Sequence, residues 1–92
     1  MANNKCTHLY VLRCGERLKI GVTQDIEQRI RSLQTGNPDD IVLEYIEERL
    51  NPHKAEHFLH RYFHKHNVNG EWFEGITVHD IRVRLMLFFD QD

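Results

Sequence analysis

His8-Leu9-Tyr10-Val11-Leu12-Arg13-Cys14-Gly15-Glu16-Arg17-Leu18-Lys19-Ile20-Gly21-Val22 is the stretch on which the fold turns. Residues 9–12 and 18–22 are short β-type runs, and Cys14-Gly15-Glu16 supplies a turn between them. Together they predict a hairpin. Asp25 follows, three positions before Gln28, which is a helix-capping pattern. Ile26, Ile30 and Leu33 recur at i, i+4 and i+7, so this helix has one apolar face. Gly36 and Pro38 stop it. Residues 41–46 predict a third strand, with Leu43 and Tyr45 alternating against Val42 and Glu44. Asn51-Pro52 opens a second helix, proline being tolerated in the first turn. It is expected to run to about His66, with Asn69-Gly70 ending it. Thr77, with Asp80 three residues on, starts a third helix over 77–89, whose apolar stripe is Val78, Ile81, Leu85 and Phe88. The order β-β-α-β-α-α predicts an α+β domain: a small three-stranded antiparallel sheet flanked by helices.

Ninety-two residues suit a single domain spanning 1–92. Hydrophobic residues at 40% and charged residues at 28% describe an ordinary soluble chain. The longest apolar run, Leu85-Met86-Leu87-Phe88-Phe89, is too short to span a bilayer, and residues 1–5 lack the apolar stretch of a signal peptide. A cytoplasmic location without membrane attachment is therefore expected. Cys6 and Cys14 lie eight residues apart. In an extended segment that separates them by about 26 Å, too far for a bridge, so two free thiols are expected. Net charge is −2, against the basic excess usual in nucleic-acid binders. The charge is uneven, however. Residues 13–35 carry five basic and three acidic side chains, and residues 51–66 carry three basic and one acidic, so a local positive face can form.

On the second helix, at roughly 100° per residue, Ala55, Phe58, Leu59, Tyr62 and Phe63 make the buried face. His53, His57, His60 and His64 fall on the opposite side. Glu56 stands at the border, between Phe63 and His60. A half-shielded carboxylate there suits a metal ligand, although a solvated glutamate in a first helical turn is also ordinary. Arg29 lies beside the apolar stripe of the first helix and can reach along the sheet edge toward the hairpin, or simply snorkel. Tyr10 can be strand packing, and Lys19 can protect a sheet edge. The histidine column admits a transition-metal site by i, i+4 pairs. The plainer reading, a polar face that gains charge below about pH 6.5, is preferred.

Taken as an ordered set, these residues resemble the GIY-YIG endonucleases. His8-Leu9-Tyr10 stands where that family has Gly-Ile-Tyr. Lys19-Ile20-Gly21 stands where it has Tyr-Ile-Gly. Arg29 lies on the following helix, and Glu56 on a later one. Leu33-Gln34-Thr35-Gly36-Asn37-Pro38, the segment from Glu56-His57-Phe58-Leu59-His60 through Phe63, and Gly70-Glu71-Trp72-Phe73 are similar to a phage and bacterial branch that carries lysine in the second motif. The resemblance covers residues 8–73. It implies metal-dependent hydrolysis of DNA. Tyr10 would be general base or proton relay, and Lys19 would lower the cost of a phenolate. Arg29 would neutralise charge on the five-coordinate phosphorus. Glu56 would be the sole protein ligand of Mg²⁺ or Mn²⁺. His60, one turn on, is the best further candidate, to position water or phosphate. Trp72 and Phe73 read as core, and Glu71 is left without a role. The alternatives are a non-catalytic nucleic-acid-binding or protein-interaction module that kept the fold, and an enzyme acting on RNA or branched DNA. Met86, Leu87 and Phe89 lie off the third helix's core stripe, which raises the expectation of a weak homodimer or a partner contact there.

Overall fold

The computed structural model describes residues 6–88. Strands β1 (His8–Cys14) and β2 (Arg17–Thr23) form the expected hairpin, closed by Gly15 at φ 63°. Helix α1 (Ile26–Gln34), strand β3 (Ile41–Glu48) and helix α2 (Pro52–Tyr62) follow. Asp25 caps α1 by accepting from the Gln28 amide. Helix α3 (Val78–Met86) begins with a complete capping box. Its Thr77 hydroxyl accepts from the Asp80 amide, and the Asp80 carboxylate accepts from the Thr77 amide.

β1 lies between β2 and β3, and Leu9, Tyr10, Val11 and Leu12 are all fully buried. An unbroken apolar run fits a strand that is covered on both faces. Leu9, Val11, Leu18 and Ile20 pack against α2 and α3 through Ala55, Leu59, Phe63, Ile81 and Leu85. Tyr10 and Leu12 point the other way, into a smaller core with Ile41 and the α1 stripe Ile26, Ile30 and Leu33. One helix therefore covers one face of the sheet and two cover the other.

Four expectations are corrected. The sheet has five strands, in the order β3-β1-β2-β5-β4, not three. The extra pair is β4 (Asn67–Asn69) and β5 (Trp72–Phe73), and Gly70 at φ 56° turns between them. Asn69-Gly70 is thus not a helix end: Asn69 closes β4, and Gly70-Glu71 is a hairpin turn. α2 stops at Tyr62, short of His66. Residues His64–His66 form a 3₁₀ turn because their backbone is drawn into pairing with the end of β5: the Glu74 amide donates to the His66 carbonyl, and His66 Nδ1 lies 3.0 Å from the Glu74 carbonyl oxygen. In β3, Leu43 and Tyr45 do not share a face. Val11 pairs with Tyr45 but Leu12 pairs with Leu43, so Glu44 is a bulge that inverts the alternation. Arg13 holds the bulged Glu44 at 2.6 Å.

Both cysteines are free. Among the described residues no helix is long and apolar enough to cross a membrane. On α3 and just beyond it, Met86 is 77% and Leu87 53% exposed, whereas Phe88 packs on Phe58. Phe89 lies outside the described residues. Self-association through Met86 and Leu87 is expected to show as concentration-dependent mass in sedimentation equilibrium, lost in Leu87→Glu. A wild type that stays monomeric at high micromolar concentration rules it out.

Candidate functional site

The site forms where β5 ends early. Leu18 and Lys19 pair with Phe73 and Trp72, and the Ile20 amide donates to the Glu71 carbonyl. Beyond that point the outer edge of β2 has no strand beside it. His60 of α2 fills the gap, with Nε2 2.9 Å from the Ile20 carbonyl oxygen and its ring edge against Phe73. His60 thus ties α2 to β2.

Four elements converge on this edge. From β1, the Tyr10 ring is fully buried, and its hydroxyl accepts from Arg29 Nε of α1 at 3.1 Å. Burial pushes the Tyr10 phenol above its usual range. The Arg29 hydrogen bond and charge oppose this, and the charges of Glu71 and Glu56 reinforce it. Tyr10 therefore keeps its proton at neutral pH. From β2 comes Lys19, itself almost fully buried. Its ammonium sits 3.2 Å from Glu71 Oε1 and over the Trp72 ring. From α2, Glu56 projects beside His60, their nearest atoms 3.8 Å apart, with only 16% of its side chain exposed. Its carboxyl is raised, first by burial, then by the charge of Glu71, with a Glu71 hydrogen bond adding to this and the charge of His60 opposing it.

Glu71 is the residue that spacing did not single out. It touches Lys19 and influences both Glu56 and Tyr10. Its Oε1 atom is buried and makes no hydrogen bond, even though the Lys19 ammonium is near. The contact has the distance of an ion pair without hydrogen-bond alignment, so this oxygen still has accepting capacity. Gly21 makes the arrangement fit. A Cβ built there would lie 2.5 Å from the Tyr10 hydroxyl and 2.9 Å from Glu71 Oε1. A glycine inside a strand was the available signal of such a close approach.

Tyr10, Arg29, Lys19 and Glu56 are thus brought to one sheet edge, with Glu71 among them. Of the other histidines expected on this face, His53 lies 4.0 Å from Glu56, His57 is exposed on α2, and His64 is exposed in the 3₁₀ turn beyond it. Among the described residues no group of three or more His, Cys, Asp or Glu side chains is arranged to hold a metal ion. Arg29 also lines an open polar cleft of about 390 Å³ with Thr23, Asp25 and Gln28.

No curated protein and no solved structure matches the chain. The model of one family, the T5orf172 domain, matches residues 7–86, which takes in all the elements described above. The chain belongs to the T5orf172 domain family, whose domain occurs in phage and bacterial nuclease-like proteins.

Proposed function

We propose that this domain is a GIY-YIG-type endonuclease that hydrolyses phosphodiester bonds of DNA with one Mg²⁺ or Mn²⁺ ion. The observation that carries the reading is one linked cluster: Tyr10 and Glu71 meet over Gly21, Arg29 bonds Tyr10, Lys19 pairs with Glu71, and Glu56 lies within reach of the Glu71 charge. The donors suit such an ion. Glu56 offers hard oxygen in a half-shielded place, and the charge of Glu71 beside it favours a cation. Mg²⁺ commonly takes one or two carboxylates and fills its remaining positions with water and phosphate oxygens. Bound there, the ion would supply Lewis-acid stabilisation of the phosphate.

The protein's own groups divide the remaining work. A buried phenol that keeps its proton is a poor phenolate base. Tyr10 acts instead as a relay, accepting a proton from the attacking water while giving up its own. Glu71, whose Oε1 crowds the same space as the phenol hydroxyl, is the acceptor. The water oxygen bonds to phosphorus and gives a proton to Tyr10 as the phenol proton passes to Glu71; the ester P–O bond breaks, and the leaving oxygen takes a proton from solvent. Lys19 holds Glu71 in register. Arg29 keeps its terminal nitrogens for the phosphate while Nε orients the phenol.

The test is cleavage of plasmid DNA, single-stranded DNA and RNA with Mg²⁺, with Mn²⁺ and with chelator. Metal-dependent cuts are expected on DNA, and their absence on every substrate overturns the reading in favour of a non-catalytic binding module. The net charge of −2 is the observation on that rival's side. In the same assay Arg29→Ala is expected to lower kcat by about a hundredfold or more with little change in DNA affinity. Unchanged kcat with weaker binding would make Arg29 a phosphate anchor only.

A further inference from the structure

At the far end of α2, away from the sheet edge, an open groove of about 770 Å³ runs between the 3₁₀ turn at His64–His66 and α3. It is lined by three full cations, Arg61 and Lys65 from one side and Arg84 from the other. Four basic side chains elsewhere are matched with acids: Arg13 with Glu44, Arg17 with Glu74, Lys19 with Glu71 and Arg49 with Glu47. Arg61, Lys65 and Arg84 have no such partner among the described residues. The one acid on the lining is Asp80, and its carboxylate is engaged by the Thr77 amide in the α3 cap. In a chain of net charge −2, three cations without an acidic partner are gathered on one groove.

The aromatic content gives the groove a second character. Tyr62 is 52% exposed, and the Arg84 guanidinium lies 3.9 Å from its ring centroid while donating to its hydroxyl at 2.9 Å. A guanidinium already held over an exposed ring costs little further ordering when an anion arrives. The ring itself is a surface on which a base can stack. Cations from both walls with an aromatic between them match a sugar-phosphate backbone bearing unstacked bases better than they match a carboxylate-bearing peptide. Arg61 follows Glu56 on α2 by five residues, about 7.5 Å of helix rise.

We infer that this groove binds the backbone of the nucleic acid, with Arg61, Lys65 and Arg84 on phosphates and Tyr62 against a base. The inference rests on the nuclease reading for its choice of partner and adds a site remote from the cut. Its test is the anisotropy of a labelled DNA duplex and of the matching single strand, titrated with the full chain in chelator across a range of salt. Arg61→Gln, Lys65→Gln is expected to lower the slope of log affinity against log salt by about two, one for each lost contact. Tyr62→Ala is expected to weaken single-strand binding by about tenfold and duplex binding less. Arg13→Gln, taken from a matched pair, should leave the slope unchanged. Equal slopes for wild type and the Arg61, Lys65 variant overturn the inference and leave the groove to an acidic protein partner. Wild-type chain that binds neither probe overturns it as well. A slope that falls as expected in a chain that cuts nothing with Mg²⁺ or Mn²⁺ supports the groove and overturns the nuclease reading alone.

Discussion

Glu56→Gln is expected to abolish cleavage without lowering thermal stability at neutral pH. Losing a group that only supports a metal ligand already costs about 10–100-fold in affinity or activity. Loss of the ligand itself should therefore cost more than about a hundredfold. The stability half of the expectation follows from the raised Glu56 carboxyl, which burial and then the charge of Glu71 push up. A carboxyl raised in the folded state favours folding when protonated. That contribution is fully present below the unfolded value and is lost as pH rises through the folded one. At pH 7 the ionised Glu56 is thus a burden on the fold, and glutamine, neutral and nearly isosteric, removes it. Wild-type turnover in the variant overturns the metal-ligand assignment. A melting temperature clearly below wild type at pH 7 would show that the carboxylate serves the fold.

Gly21→Ala is expected to damage both stability and activity. Its methyl would meet the Tyr10 hydroxyl at 2.5 Å, the adjoining ring carbon at 2.6 Å and Glu71 Oε1 at 2.9 Å. Glu71 can swing aside because 34% of its side chain is exposed, but Tyr10 is fully buried against Leu12, Ile41 and the α1 stripe. Overpacking of this kind costs about 1–3 kcal/mol, which in a domain of this size lowers Tm by about 4 °C or more. The surviving folded molecules would hold the phenol displaced from Arg29. A misplacement of about 1 Å can cost a hundredfold in rate. Melting curves and cleavage rates, measured together, check this. A variant that melts and cuts like wild type would mean that the Tyr10 hydroxyl is not confined above Gly21.

Much of the architecture was legible because local signals and tertiary packing agreed. The paired apolar runs about Gly15 gave the hairpin, and the Asp25 and Thr77 caps gave two helix starts. Legibility failed where tertiary pairing overrode local preference. The helical pattern of α2 continues past Tyr62 in sequence, yet the backbone at His66 is claimed by Glu74. β4 and β5 are too short and too polar for periodicity to register. The Glu44 bulge has no marker in composition, and it alone moves Tyr45 to the face opposite Leu43. The candidate site divides in the same way. Tyr10 and Arg29 were marked in the sequence by motif and by helical position, and their side chains meet. The partner of Lys19 was not marked, because Glu71 reaches it only through a hairpin that the sequence did not disclose.

The smaller core has a consequence for how the site comes and goes. α1 contains no fully buried residue, and its apolar stripe is only partly covered by Tyr10, Leu12 and Ile41. The larger core, on the opposite face, does not include it. Undocking of this one helix exposes only the smaller core and so needs less free energy than global unfolding. Each such excursion carries Arg29 off the phenol and leaves Glu56, Lys19 and Glu71 in place. The fraction of molecules poised for chemistry is then set by the docking equilibrium of a single short helix. Substitutions at Ile26, Ile30 or Leu33, none of which touches substrate in the proposed reaction, would tune turnover through that population.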